Sequence, residues 1–205
     1  FAGDYVLFFN GSGTSPSIPA EPPLAAYVYD SSPSGPTQPR PAGFLCARAS
    51  GRLSGRSLGP VRLGLTRARA RSLFLRASTR GRRYMDFFCL SPIGIRAGYP
   101  SPKLLRTLSR SERSRVRGRV VLALTANRYY TLGGVRPGVR LAAVARRLGT
   151  GKGFHIGLNW WYLAPNGPSR GVLKVRHGII QEIGIANTQL TNNPRADWRF
   201  LTSFG

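Results

Sequence analysis

Carboxylates and imidazoles, the usual acid and base groups of active sites, are scarce in this chain. Its seven carboxylates, Asp4, Glu21, Asp30, Asp86, Glu112, Glu182 and Asp197, stand singly. None lies three or four residues from another, the spacing that would put two on one helix face to share a metal or divide acid and base roles. Imidazole is available only from His155 and His177. Either histidine meeting Glu182 or Asp197 in the fold would make a candidate acid/base site, but His177 also suits a tight turn as an ordinary polar residue. Gly149-Thr150-Gly151-Lys152-Gly153 has a superficial look of a phosphate loop, yet it lacks the Walker A spacing and comes after a helical pattern. The sequence therefore predicts no catalytic residue, no metal site and no cofactor, and the balance leans away from an enzyme.

Cations are abundant. The formal net charge is +24, and only Lys103, Lys152 and Lys174 of the 31 cations are lysines, so the other 28 are arginines. Arginine binds phosphate and carboxylate in a two-pronged geometry and stacks on rings, which suits an anionic surface or polymer. GC-rich codon usage produces the same bias with no ligand at all. Two clusters are densest: residues 67–83 and residues 106–119. From them Arg76, Arg80, Arg82, Arg83, Arg110, Arg113 and Arg117 are the candidate anion-binding set, expected on one side of the first half of the chain. Nucleic acid, acidic lipid headgroups and anionic cell-wall polymer are the matching partners. No zinc-finger, helix-turn-helix or RNA-binding strand motif accompanies them, so recognition of a particular base sequence is not expected.

Trp160, Trp161 and Tyr162 are a second candidate site, an aromatic platform. Neighbouring strand residues point to opposite faces, so one tryptophan is expected in the core while the other is free to stack on a ring.

Positioning these residues falls to an internal repeat. Residues 61–74 (VRLGLTRARARSLF) and 135–149 (VRPGVRLAAVARRLG) each lead from a Val-Arg pair to a glycine, Gly64 or Gly138, then to Leu65 or Val139. Ala68, Ala70 and Phe74 follow in one copy, Ala142, Val144 and Leu148 in the other, at helical spacing. Each copy predicts a glycine turn opening a short one-sided helix, which needs a sheet beside it to bury its stripe. Strand-like runs follow the second copy at 157–163, 171–176 and 179–186, separated by Pro165-Asn166-Gly167 and His177-Gly178. The first copy has matching runs at 84–90, 93–99 and 119–125, the last two parted by a helical, arginine-rich insertion at 101–117. The expected fold is α+β: two tandem modules, each a short helix on a small antiparallel sheet.

These residues resemble the SmpA/BamE-like modules, small two-layer extracytoplasmic domains. The resemblance is carried by Gly64-Leu65-Thr66 with Ala70 and Phe74, and by Gly138-Val139 with Val144, Leu148 and Gly149. Trp160, Trp161 and Tyr162 stand where that family's aromatic strand would be, and Arg140 departs from the pattern by replacing threonine. The C-terminal half also looks like uncharacterised secreted proteins of high-GC bacteria.

The expected domains are 1–56, an N-terminal strand and a Pro/Gly/Ser-rich strap; 57–130, the first module; and 131–205, the second with a C-terminal apolar tail. Within that tail Trp198, Phe200 and Phe204 predict a docking strand or a clamp onto another subunit. Cys46 and Cys89 flank the first helix and are expected to pair in an oxidising compartment. Phe1 opens the chain without an initiating methionine, as after processing or within a longer protein. The expectation is a secreted or cell-envelope binding or structural module. The alternatives are a C-terminal accessory portion of a larger secreted hydrolase, with an upstream domain as partner, and a binding protein for anionic polymer or membrane surface.

Overall fold

The computed structural model describes Leu53, residues 55–74, the backbone at 77–78, residues 83–89 and residues 94–205. All belong to one compact unit, Pro41–Gly205. In chain order, β1 (Ser57–Leu58) and β2 (Val61–Arg62) pair as a short hairpin ahead of α1 (Arg67–Ser72). Strands β3 (Ala77–Ser78), β4 (Met85–Phe88) and β5 (Ile95–Gly98) follow, then helices α2 (Pro102–Arg106) and α3 (Arg110–Val116) and strand β6 (Leu122–Thr125). A 3-10 turn, Leu141–Ala143, runs into α4 (Ala145–Leu148). Strands β7 (Phe154–Ile156), β8 (Asn159–Asn166), β9 (Ser169–Arg176) and β10 (Ile179–Ala186) come next, and α5 (Pro194–Thr202) closes the chain.

The α+β class is as expected, but the strands do not make two small sheets. Eight of them form one antiparallel sheet in the order β3-β4-β5-β6-β10-β9-β8-β7. The two halves meet where β6 pairs β10, Thr125 opposite Ile183 and Leu122 opposite Ala186. Both faces of this sheet are buried, which explains why its central strands are nearly all apolar. Phe88, Ile95, Ala97, Ala123, Leu173, Val175, Ile183 and Ile185 point to one side, where Ala70, Phe74 and Val144 cover them together with β1 and β2. The alternate residues Leu122, Leu124, Trp161, Leu163, Val172 and Ala186 point to the other, under Leu104, Val116, Phe200, Leu201 and Phe204.

The two glycine turns make the same contacts. Gly64 and Gly138 sit at φ 93° and 92°, a conformation that favours glycine. Gly64 N donates to Val120 O at 2.8 Å and Val120 N to Leu65 O at 2.8 Å; Gly138 N donates to Ile180 O at 2.7 Å and Ile180 N to Val139 O at 2.9 Å. Isolated bridges then join Thr66 to Arg119 and Arg140 to Ile179.

The helices that follow differ, and the reason is a cap. Thr66 accepts a hydrogen bond from Arg69 N and starts an α-helix that buries Ala70, with Phe74 just beyond it stacked 4.3 Å from Phe88. Arg140 offers no such cap, and the second copy opens as a 3-10 turn before the four residues of α4, ended by Gly149 at φ 60°. Ala68 and Ala142 are exposed, so the buried stripe is narrower than the sequence pattern implied.

Two further expectations are corrected. Pro165 and Asn166 lie inside β8, and the turn comes at Gly167, φ 61°. The C-terminal tail is helix α5, begun by Asn193 accepting from Ala196 N and by Pro194 in the first turn. Phe200, Leu201 and Phe204 are buried in the chain's own core, and the tail is a helix where a strand was expected. The tail packs closely: a methyl added at Gly98 would lie 2.6 Å from the Phe204 ring.

Candidate functional site

Beside α1, where β4 begins and β5 ends, the helical insertion leans over and leaves a cleft of about 440 Å³. Tyr84, Tyr99, Pro100, Pro102 and Leu105 provide its apolar walls, and Arg67, Arg106, Arg113 and Arg117 supply its charge. Local sequence accounts for this placement. Ser101 caps α2 with Pro102 in its first turn, and Ser109 with Glu112 forms a capping box that starts α3. The two short helices bury Leu104 and Val116 in the cluster on that face of the sheet.

Asp86 organises the wall of the cleft. Its side chain has no solvent exposure. Arg67 reaches it through Nε at 3.1 Å and Nη2 at 2.7 Å, and Arg71 through Nε and Nη2, both at 2.9 Å. The Tyr99 hydroxyl donates a fifth bond at 3.1 Å. Burial pushes the Asp86 carboxyl up, but the hydrogen bonds from Arg71 and Arg67 outweigh it and hold the group down to about 2. Burial, and then the charge of Asp86, pushes the Tyr99 phenol well above its usual range, so it stays a neutral donor. Arg67 also donates through Nη1 to Arg83 O at 3.0 Å, and its guanidinium lies 4.8 Å from the centre of the Tyr99 ring. Every nitrogen of Arg67 is thus engaged by its own protein.

Arg113 is engaged too, donating through Nε to Leu105 O at 3.0 Å and through Nη2 to Leu108 O at 3.2 Å. It ties α3 to the last turn of α2 and to the link between the two helices. Arg106 and Arg117 differ, being exposed, with no side-chain hydrogen bond or ion pair among the described residues. Of the anion-binding set predicted from sequence, Arg113 and Arg117 line the cleft and Arg83 lies beside it, its guanidinium 5.8 Å from the centre of the Tyr84 ring. Arg110 is exposed and does not line it, and Arg76, Arg80 and Arg82 lie outside the described residues. The sequence set omitted Arg67, Arg106, Tyr84 and Tyr99. Arg67 and Arg106 belong to the two dense clusters, but nothing local distinguishes the arginines that face the cleft.

The aromatic platform is divided as strand geometry requires. Trp161 is fully buried, Trp160 is 45% exposed, and Tyr162 packs partly against the core. The His155 ring lies 5.0 Å from that of Trp160. Glu182 is bonded by Arg96 and by Lys174, the latter at 3.1 Å, and so is not free to orient a histidine. Asp197 is buried in the first turn of α5, and burial raises its carboxyl. Among the described residues no three His, Cys, Asp or Glu side chains gather as a metal site would need. Cys46 lies outside the described residues; Cys89, at φ 52°, follows β4 and packs against the core.

No protein-family model matches the chain, and no curated protein matches it. Among solved structures it is similar to an extracellular protein containing an SCP domain from Bacillus anthracis str. Ames, at 10% identity and a TM-score of 0.39. That match covers 65% of this chain and 46% of the other, so it spans less than half of the neighbour's length. No described helix is long and apolar enough to cross a membrane.

Proposed function

We propose that this chain is a non-catalytic binding module of the extracytoplasmic space, and that it binds an anionic partner at the arginine-lined cleft. One observation carries the reading. Four guanidiniums from α1, α2 and the end of α3 converge on an apolar hollow whose adjacent carboxylate, Asp86, is already matched by five donors. The local field is therefore positive and uncompensated at Arg106 and Arg117, which favours anions. Arg113 is a poor choice for a test because it also holds α2. The variant to compare is Arg106→Gln with Arg117→Gln. On a single-stranded nucleic acid column the wild type should elute at clearly higher salt, since each neutralised phosphate adds about 0.7 to the log-log salt slope. Equal elution of the two proteins, together with no binding of a small phosphate ester that depends on Arg106 and Arg117, would end the reading.

Two subsidiary proposals belong with it. The matched contacts of Gly64 and Gly138 support two copies of one unit, glycine turn, helix and three strands, related across the β6–β10 seam, in line with the SmpA/BamE-like resemblance. The pairing of Cys46 with Cys89 is the biochemical mark of the proposed location. Alkylation of the native protein without reductant should add no mass, and reduction should lower the melting temperature by several degrees. Two labelled thiols would place the protein in a reducing compartment.

A further inference from the structure

The division of labour among the cleft arginines points to the kind of anion. A polymer backbone is gripped by a row of free cations along an open surface. Here two of the four arginines are spent. Arg67 gives three nitrogens to Asp86 and Arg83 O, and Arg113 gives two to the carbonyls of Leu105 and Leu108, so both act as fixed walls. The two without a side-chain partner among the described residues, Arg106 and Arg117, sit at the ends of different helices and flank one hollow. The walls of that hollow are rings and hydrocarbon, and its volume of about 440 Å³ suits a small molecule.

We infer that the cleft takes a soluble phosphate monoester with an aryl or short alkyl body, its head between Arg106 and Arg117 and its body against Tyr84, Tyr99, Pro102 and Leu105. This deepens the function proposed above and rests on its placing the binding surface at this cleft. A phosphate dianion matches two guanidiniums in charge and offers oxygens to both, whereas a single carboxylate satisfies one fork. The body leaves water for an apolar wall, which a bare anion cannot exploit. Tyr99 stays protonated and Asp86 is fully matched, so no acidic group of the wall repels the head.

The test uses calorimetric titration of the full chain with phenyl phosphate, inorganic phosphate and phenol. Phenyl phosphate should bind at least tenfold more tightly than either fragment. The double variant Arg106→Gln, Arg117→Gln should weaken it at least tenfold while leaving the melting temperature in place, because neither side chain holds the fold. Arg110→Gln with Arg115→Gln, equal in charge but outside the cleft, should leave affinity unchanged. The inference is overturned if inorganic phosphate binds as tightly as phenyl phosphate, if both double variants weaken binding equally, or if phenyl phosphate does not bind. Retention on nucleic acid that depends on Arg106 and Arg117 without phenyl phosphate binding would leave the binding surface standing and remove this ligand class. Sedimentation with phosphatidic acid vesicles under the same dependence, again without phenyl phosphate binding, would reassign the cleft to a membrane surface.

Discussion

Asp86 shows how one acid can matter more in a chain with so few. Removing a partner from a buried, hydrogen-bonded ion cluster leaves charges or donors without compensation, at a cost of about 3 kcal/mol. Asp86→Asn should therefore shift the denaturant midpoint downward by that order while the far-ultraviolet spectrum of the survivors is unchanged. The same group makes stability depend on pH. Its carboxyl is held at about 2 in the fold against a reference value of 3.8. The unfolded chain thus binds the proton first, so the contribution is complete above about pH 4 and fades as the pH falls toward 2. Its size is roughly 2 kcal/mol. Unfolding free energies measured from pH 5 to pH 2 should show this loss in the wild type and not in Asp86→Asn. A flat profile in both would mean that the guanidinium bonds do not hold in solution.

Short helices depend on their first residues more than on their length. Both helices after the glycine turns are far below the length at which an isolated helix is stable in water, so packing and caps decide their form. Thr66 caps α1 and Arg140 caps nothing, although both residues have extended backbone angles at the same point of the turn. Arg140→Thr should therefore supply the missing acceptor and stabilise the protein by about 0.5 to 1 kcal/mol. Chemical denaturation at neutral pH is the measurement, and an unchanged or lowered midpoint would show that the 3-10 opening has another cause. The same scale explains the misread tail. Trp198 and Phe200 suggested alternation, but Phe200, Leu201 and Phe204 have helical spacing, and Asn193-Pro194 is a helix start.

At the level of the whole molecule the seam between β6 and β10 decides whether there are two modules or one sheet. Gly184 lies on that seam opposite Leu124, and a methyl at its Cβ position would run into the Ala123 carbonyl. A backbone obstruction cannot be relieved by turning a side chain. Gly184→Ala should cost about 3 kcal/mol or more, near the upper end for overpacking, and should uncouple the halves. Hydrogen exchange should then show the amides of β6 and β10 losing protection together. Retention of full protection in both strands would mean that the seam tolerates the methyl and that the halves do not depend on it.

The sequence by itself determined the things that depend on near neighbours. Glycines at matching places in a repeated string were legible as turns and period-two runs as strands, because these depend on a few adjacent residues. That Trp160 and Trp161 face opposite sides follows from the alternation of a strand alone, while which of them is inward was decided by the fold. What the sequence could not carry was pairing between distant segments. A strand edge at 122–125 does not specify whether it stays free or meets the edge at 183–186, since backbone hydrogen bonds are the same for any partner. The cleft is of that kind as well. Twenty-eight arginines look alike along the chain, and only the fold determines that Arg67 and Arg113 are spent on Asp86 and on the carbonyls of Leu105 and Leu108 while Arg106 and Arg117 line the cleft with no partner among the described residues.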